Sequence, residues 1–138
     1  MPEPSIISVC EQNWDKWKGD CSGFLKAVAA DLGIYLSGQA NDIIDTMGHA
    51  PWVQLGNDSE KAVTYAGQSY LVVAGLKAPH HGHVVVIVPG AAKPYPSGYW
   101  GRFGGTGRKN TSISWSWKHS ELPEVRYFAI QLTSAPQS

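Results

Sequence analysis

A cysteine between an aspartate and a serine-glycine pair heads an apolar helical run: Asp20-Cys21-Ser22-Gly23-Phe24 leads into Leu25 to Leu32. Asp20 is a good helix N-cap, so Cys21 falls in the first turn, where unpaired backbone N–H groups carry the positive end of the helix dipole. Sulfur attacks as the thiolate, and a free cysteine titrates near pH ~8.5 unless its surroundings favour the anion. One short segment thus offers a nucleophile and its activation. The backbone N–H groups of Cys21 and Ser22 can also receive the oxyanion of a tetrahedral intermediate. Gly23, without a Cβ, lets a substrate or a neighbouring strand come close.

A thiol nucleophile needs a base within reach of the sulfur, and a histidine on a strand supplies one with fixed aim. Gly82-His83 opens the run Val84-Val85-Val86-Ile87-Val88, which reads as a strand buried on both faces. A polar ring at the mouth of such a strand is not needed for packing. Each residue alone has a bland reading, Cys21 as a small buried side chain and His83 as a strand-end ring bonded to backbone. Together, at a capped helix start and a strand start, they read as a catalytic pair.

Helices come first along the chain and strands later. Ser5 caps a helix to about Trp17, Lys18-Gly19 breaks it, and a second helix runs from Cys21 to Leu32 with Gly33 as its stop. Asn41 to Met47 and Asp58 to Ala66 read as two further helices. Strands are expected at Tyr70 to Ala74, His83 to Val88, Ser112 to Trp117 and Tyr127 to Leu132, with Ile113, Trp115 and Trp117 on one core face. The order is α+β, N-terminal helices packed on an antiparallel sheet, and 138 residues at 43% apolar content suit one domain spanning 1–138.

Eleven basic side chains balance eleven acidic ones, which argues against a general nucleic-acid binder. Arg102, Arg108 and Lys109 cluster in a Gly-rich loop and read as a solvated segment, with binding of peptide carboxylates as the alternative. No stretch is long and apolar enough to span a membrane, and the Met1-Pro2-Glu3-Pro4 start lacks the features of a secretion signal. Cys10 shares a helical phase with Ile6, Ile7 and Trp14 and reads as core, and two cysteines make no disulfide framework. His81-Gly82-His83, with His80, His49, His119 and Asp20 in reserve, raises zinc as a rival chemistry. With no His-Glu-x-x-His motif and no carboxylate at fixed close spacing, neither a metal site nor a cofactor is assigned.

Asp20-Cys21-Ser22-Gly23-Phe24 before a helix, then Gly82-His83 before a Val/Ile strand, resembles the NlpC-type papain-like cysteine peptidases that cut peptidoglycan stem peptides. A closer likeness runs through most of the chain. Asn13-Trp14-Asp15-Lys16, Asp20 to Phe24, Ala29-Ala30-Asp31-Leu32-Gly33, Leu71 to Leu76, Gly82-His83-Val84 and Tyr95-Pro96 resemble the first family of type VI secretion amidase effectors. That resemblance implies a papain-like single domain and a D,L-endopeptidase that hydrolyses the amide between γ-D-glutamate and meso-diaminopimelate. It also implies synthesis in a bacterial cytoplasm without a signal peptide, and delivery as an antibacterial toxin into the periplasm of a target Gram-negative cell. A cognate immunity protein would plug the cleft, and the enzyme would act as a monomer, without nucleic acid or membrane as partner.

Papain-like enzymes hold the second ring nitrogen of the histidine with a third polar group. In the family that group follows Tyr-Pro, and where its cysteine would be expected this chain has Gly98. The carbonyl near Gly98, or the side chains of Ser97 and Tyr99, are the candidates. The groove is expected along Lys77 to Gly82 and Ala91 to Lys109, with Asp20, His81 and Trp100 as its residues and Tyr95, Tyr99 and Phe103 as further aromatics, the equal alternative being that these rings cover the sheet edge. Two other classes remain open: a papain-like acyltransferase or deamidase acting on protein, and a non-catalytic wall-binding module. Alkylation of Cys21 at pH 6 faster than that of a free thiol would disfavour the binding module.

Overall fold

The computed structural model describes residues 5–79 and 81–132; the first four residues, His80 and residues 133–138 lie outside the described residues. Four helices, α1 (Ile6–Trp17), α2 (Cys21–Asp31), α3 (Ala40–Met47) and α4 (Ser59–Ala66), join six strands. The strands are β1 (Val53–Gly56), β2 (Tyr70–Leu76), β3 (His83–Ile87), β4 (Ser97–Trp100), β5 (Arg108–Ser112) and β6 (Arg126–Gln131). Side-chain caps set the helix starts: Ser5 Oγ accepts from Ser8 N at 3.0 Å, Asp20 Oδ1 from Gly23 N at 3.0 Å, and Asp58 Oδ1 from Lys61 N at 3.0 Å. Each acceptor satisfies one of the N–H groups that a first turn leaves unpaired. At the far end of α2, Gly33 takes φ +83°, the left-handed stop expected of it.

The strands form one sheet in the order β1-β6-β2-β3-β4-β5, and every pairing is antiparallel. Alternation along β3 explains its unbroken apolar sequence. Val84 and Val86 face a core with Leu25, Val28, Ile43 and Met47 from α2 and α3. Val85 and Ile87 face a second core with Ala62 and Ala66 of α4, Trp100, Ile113, Trp117 and Tyr127. A strand covered on both faces has no use for polar alternation.

The stretch Ser112 to Trp117 differs from expectation. β5 stops at Ser112 and residues Ile113–Trp115 form a 3-10 turn, capped by Ser112 Oγ accepting from Ser114 N at 3.3 Å. The turn breaks the period of two. Ile113 and Trp117 stay in the core, while Trp115 is 65% exposed, with the Arg108 guanidinium 4.9 Å from its ring centroid. Three strands were not anticipated. β1 is four residues long with a register shift, β4 lies in a Gly- and Pro-rich stretch, and β5 is a polar edge strand of the kind that resists further pairing.

Hydrogen bonds fasten α1 to the β4-β5 end of the sheet. The Trp14 indole N–H is shared between the carbonyls of Trp100 and Arg108, each at 3.1 Å. Glu11 accepts from Tyr99 Oη at 2.7 Å and from Lys109 Nζ at 3.0 Å. The Tyr99 bond, then the Lys109 bond, hold the Glu11 carboxyl below its ordinary range. Burial and the neighbouring carboxylate push the Tyr99 phenol up.

Candidate active site

Cys21 is the first residue of α2, 7% exposed, and its carboxylate neighbour Asp20 is the N-cap. Burial pushes the thiol up, and the Asp20 charge adds to this; the backbone N–H groups of Val84, Ser22 and Cys21 itself pull the other way. The helix terminus therefore does act on the sulfur, as the sequence implies, yet desolvation is the larger influence and the thiol is the resting form. The room at Gly23 has a different use from the one expected. A Cβ there would run into the Trp17 indole and come within 2.7 Å of Asp20 Oδ2, so the glycine lets α1 close over the first turn of α2. Cys10 is fully buried in the helical core, and both cysteines are free.

His83 opens β3 and pairs with Leu76 of β2. The peptide unit between His83 and Val84 is the link to Cys21, because the Val84 N–H faces the sulfur. That third backbone donor was not foreseen. Among the described residues no direct hydrogen bond joins thiol and imidazole. The ring has the strand parity of Val85 and Ile87 and lies edge to face against Trp117, at 5.1 Å between centroids, and Trp100, at 6.5 Å. Burial lowers its pKa to about 4, and the nearby Arg102 charge adds to this.

The remaining ring position of interest is filled from an unexpected element. His83 Nε2 lies 2.5 Å from Oγ of Ser116, a serine only 8% exposed at the end of the 3-10 turn. Ser97, Gly98 and Tyr99 are elsewhere. Ser97 and Gly98 sit beside Val88 and Ile87, at the far end of β3, and the Tyr99 hydroxyl is committed to Glu11. The missed signal was the break in alternation after Ser112, which turns Ser116 inward where a continuous strand would have buried three aromatic and aliphatic side chains.

A small cleft opens in front of the thiol, lined by Asp20, Cys21, Ser22, Gln39, Asn41, His81 and Phe103 among others. Asp20 and His81 both line this cleft. Trp100 does not: it is 1% exposed and packs in the second core behind His83, so it is a wall of the histidine's enclosure. Phe103, 70% exposed, stacks on His81 with ring centroids 4.8 Å apart. Gln39, at the N-cap of α3, was not anticipated either.

No protein-family model matches the chain. It is 32% identical over 142 aligned positions to the protein named peptidoglycan amidase Tse1 of Pseudomonas aeruginosa, covering 94% of this chain and 91% of that relative. The chain belongs to the Tse1-like peptidoglycan amidase family. It is accordingly an enzyme, a hydrolase, and its frame is α+β with an antiparallel sheet. Among the described residues no helix is long and apolar enough to cross a membrane.

Proposed function

We propose that this Tse1-like protein hydrolyses the γ-D-glutamyl to meso-diaminopimelate amide of peptidoglycan stem peptides by a cysteine-histidine mechanism, in one papain-like domain spanning residues 1–138. One observation carries the reading: the buried thiol of Cys21, at a capped helix start, faces the N–H next to His83. The His83 Nε2 bond to Ser116 leaves Nδ1 as the nitrogen for the sulfur.

The steps follow from these groups. Sulfur attacks the amide carbonyl carbon as His83 takes the thiol proton, and the oxyanion is held by the backbone N–H groups of Cys21 and Ser22. His83 returns the proton to the nitrogen of the departing amine, leaving a thioester on Cys21. Water, deprotonated by His83, then attacks the thioester carbonyl, releasing the carboxylic acid and the thiol. Ser116 holds the imidazole and is a positioning residue. Because the pair rests neutral, proton transfer accompanies attack, with no standing ion pair before it.

The same family reading extends to biology: an antibacterial type VI effector, delivered to the periplasm of a target Gram-negative cell, monomeric and neutralised in the producer by an immunity protein. Digestion of diaminopimelate-type peptidoglycan by wild type, Cys21→Ala and His83→Ala, with products read by mass spectrometry, tests the chemistry. Cleavage between the second and third stem residues by wild type alone is the expected result. An intact wall with the wild-type enzyme would refute it and favour acyl transfer to protein or a binding module.

A further inference from the structure

The cleft in front of Cys21 is narrow. Its volume of about 70 Å³ is well below the ~300–1,000 Å³ of pockets that enclose whole small ligands. A whole stem peptide does not fit there; one short, unbranched stretch of it does. Polar side chains line most of the cleft, and among its lining residues Phe103 is the one large apolar group. The Phe103 ring is 70% exposed and stacks on His81, with centroids 4.8 Å apart and planes tilted by 32°, so most of its surface is offered to a ligand.

Both members of this stacked pair are fixed relative to the sulfur. The loop that carries Phe103 is fastened just ahead of α2: the N–H groups of Arg102 and Gly107 both donate to the Lys18 carbonyl, at 2.9 and 2.8 Å, and the Gly105 N–H closes a turn on the Arg102 carbonyl at 3.1 Å. At Gly101 a Cβ would clash with the carbonyls of Trp17 and Asp20, so the loop leaves β4 in direct contact with the helix cap. His81 comes from the connection between β2 and β3. Asn41 holds that connection, donating from Nδ2 to the Ala78 carbonyl at 2.7 Å and accepting from the Ala78 N–H at 3.2 Å. The aromatic wall is thus pre-organised, and a substrate need not order it on binding.

We infer that Phe103 is a specificity residue: its ring, braced by His81, packs on the unbranched methylenes that join the α-carbon of the γ-glutamyl residue to the scissile carbonyl. This rests on the amidase reading and adds to it the group that is read. A γ-glutamyl donor presents two methylenes at that place, a slender apolar segment that suits a narrow cleft with an aromatic wall. An α-linked peptide presents instead a carbon bearing a side chain and an amide N–H. That segment is wider, and burying its N–H against a ring without a partner is unfavourable. The γ linkage is therefore recognised by what it lacks, a branch next to the scissile carbonyl.

The test uses a stem tetrapeptide and a counterpart carrying one methyl group on the glutamyl carbon next to the scissile carbonyl. Wild type should cut the methylated peptide with kcat/KM about tenfold or more below that for the parent. Phe103→Ala should lower kcat/KM for the parent about tenfold, mainly through KM, and shrink the discrimination to about twofold. Its thermal midpoint should be unchanged, because the ring is exposed. Phe103→Tyr should stay near wild type in both respects. His81→Ala should relax the discrimination partway and add nothing in the Phe103→Ala background. Equal cleavage of both peptides by wild type, undiminished discrimination in Phe103→Ala, or a loss confined to kcat with a lowered midpoint would overturn the inference alone. Wild-type protein that leaves the parent tetrapeptide intact would overturn the amidase reading and the inference with it.

Discussion

His83 Nε2 and Ser116 Oγ approach to 2.5 Å across the end of the sheet, so in the proposed mechanism an uncharged hydroxyl is the orienting partner of the histidine. Ser116→Ala should lower kcat on the order of tenfold, about 1.4 kcal/mol of barrier, with KM little changed. Loss of the partner also leaves a buried ring N–H unpaired, which costs about 1–3 kcal/mol of stability. Steady-state kinetics beside denaturant melts separate the two effects. An unchanged kcat with lowered stability would reduce Ser116 to a structural role.

Stability should carry the signature of the buried imidazole. The folded pKa of about 4 lies below the unfolded value of ~6.5. Between these values the unfolded chain binds a proton that the native protein refuses, so stability rises with pH across that window and levels off above it. Glu11, whose folded pKa is lowered, loses its contribution only as pH falls through the carboxylate range. The interval from about pH 5 to 6.5 therefore isolates His83 from Glu11. Thermal midpoints should climb through it in wild type and climb less in His83→Gln; equal slopes would contradict the assignment.

The resting thiol should be slow to alkylate in mild acid. Sequence alone points to a cysteine activated by its helix, whereas burial holds Cys21 protonated and His83 neutral. Iodoacetamide at pH 6 should label Cys21 no faster than a free thiol, and the rate should increase toward alkaline pH. Rapid labelling at pH 6 would show a standing thiolate, and the enzyme would then start from an ion pair.

Gly98 leaves no room for a side chain. A Cβ at this position would lie 2.5 Å from Val85 Cγ1 and 2.5 Å from the Val86 carbonyl oxygen. Introducing a cysteine by Gly98→Cys should therefore destabilise the protein by about 1–3 kcal/mol, the usual range for overpacking. It should add nothing to turnover, because Gly98 pairs with Ile87, four residues along β3 from His83. A stable variant with raised kcat would return the orienting role to this strand.

Much of this was legible in the chain. The caps at Ser5, Asp20 and Asp58 marked their helices because an unpaired first turn demands an acceptor, and the valine run marked a strand because only a doubly covered strand is uniformly apolar. The cysteine and histidine were visible because each sits at the start of such an element. Ser116 and Gln39 were not. Ser116 faces His83 from a 3-10 turn that local propensity did not distinguish from strand, and Gln39 meets the cleft through a contact with Ser22, 17 residues away in sequence. Trp100 looked like a groove aromatic because composition records that a ring is present but not which way its strand turns it.

Alternation along β3 assigns the two halves of the proposed active site to different sides of the sheet: Cys21 belongs to the core shared with Val84, while His83 leans on Trp100 and Trp117 of the other. Neither half can be repacked without moving one reactive group relative to the other. The reaction thus serves as a gauge of the whole fold, since loosening of either layer, even one that leaves both side chains chemically intact, would be felt first as lost alignment between sulfur and ring.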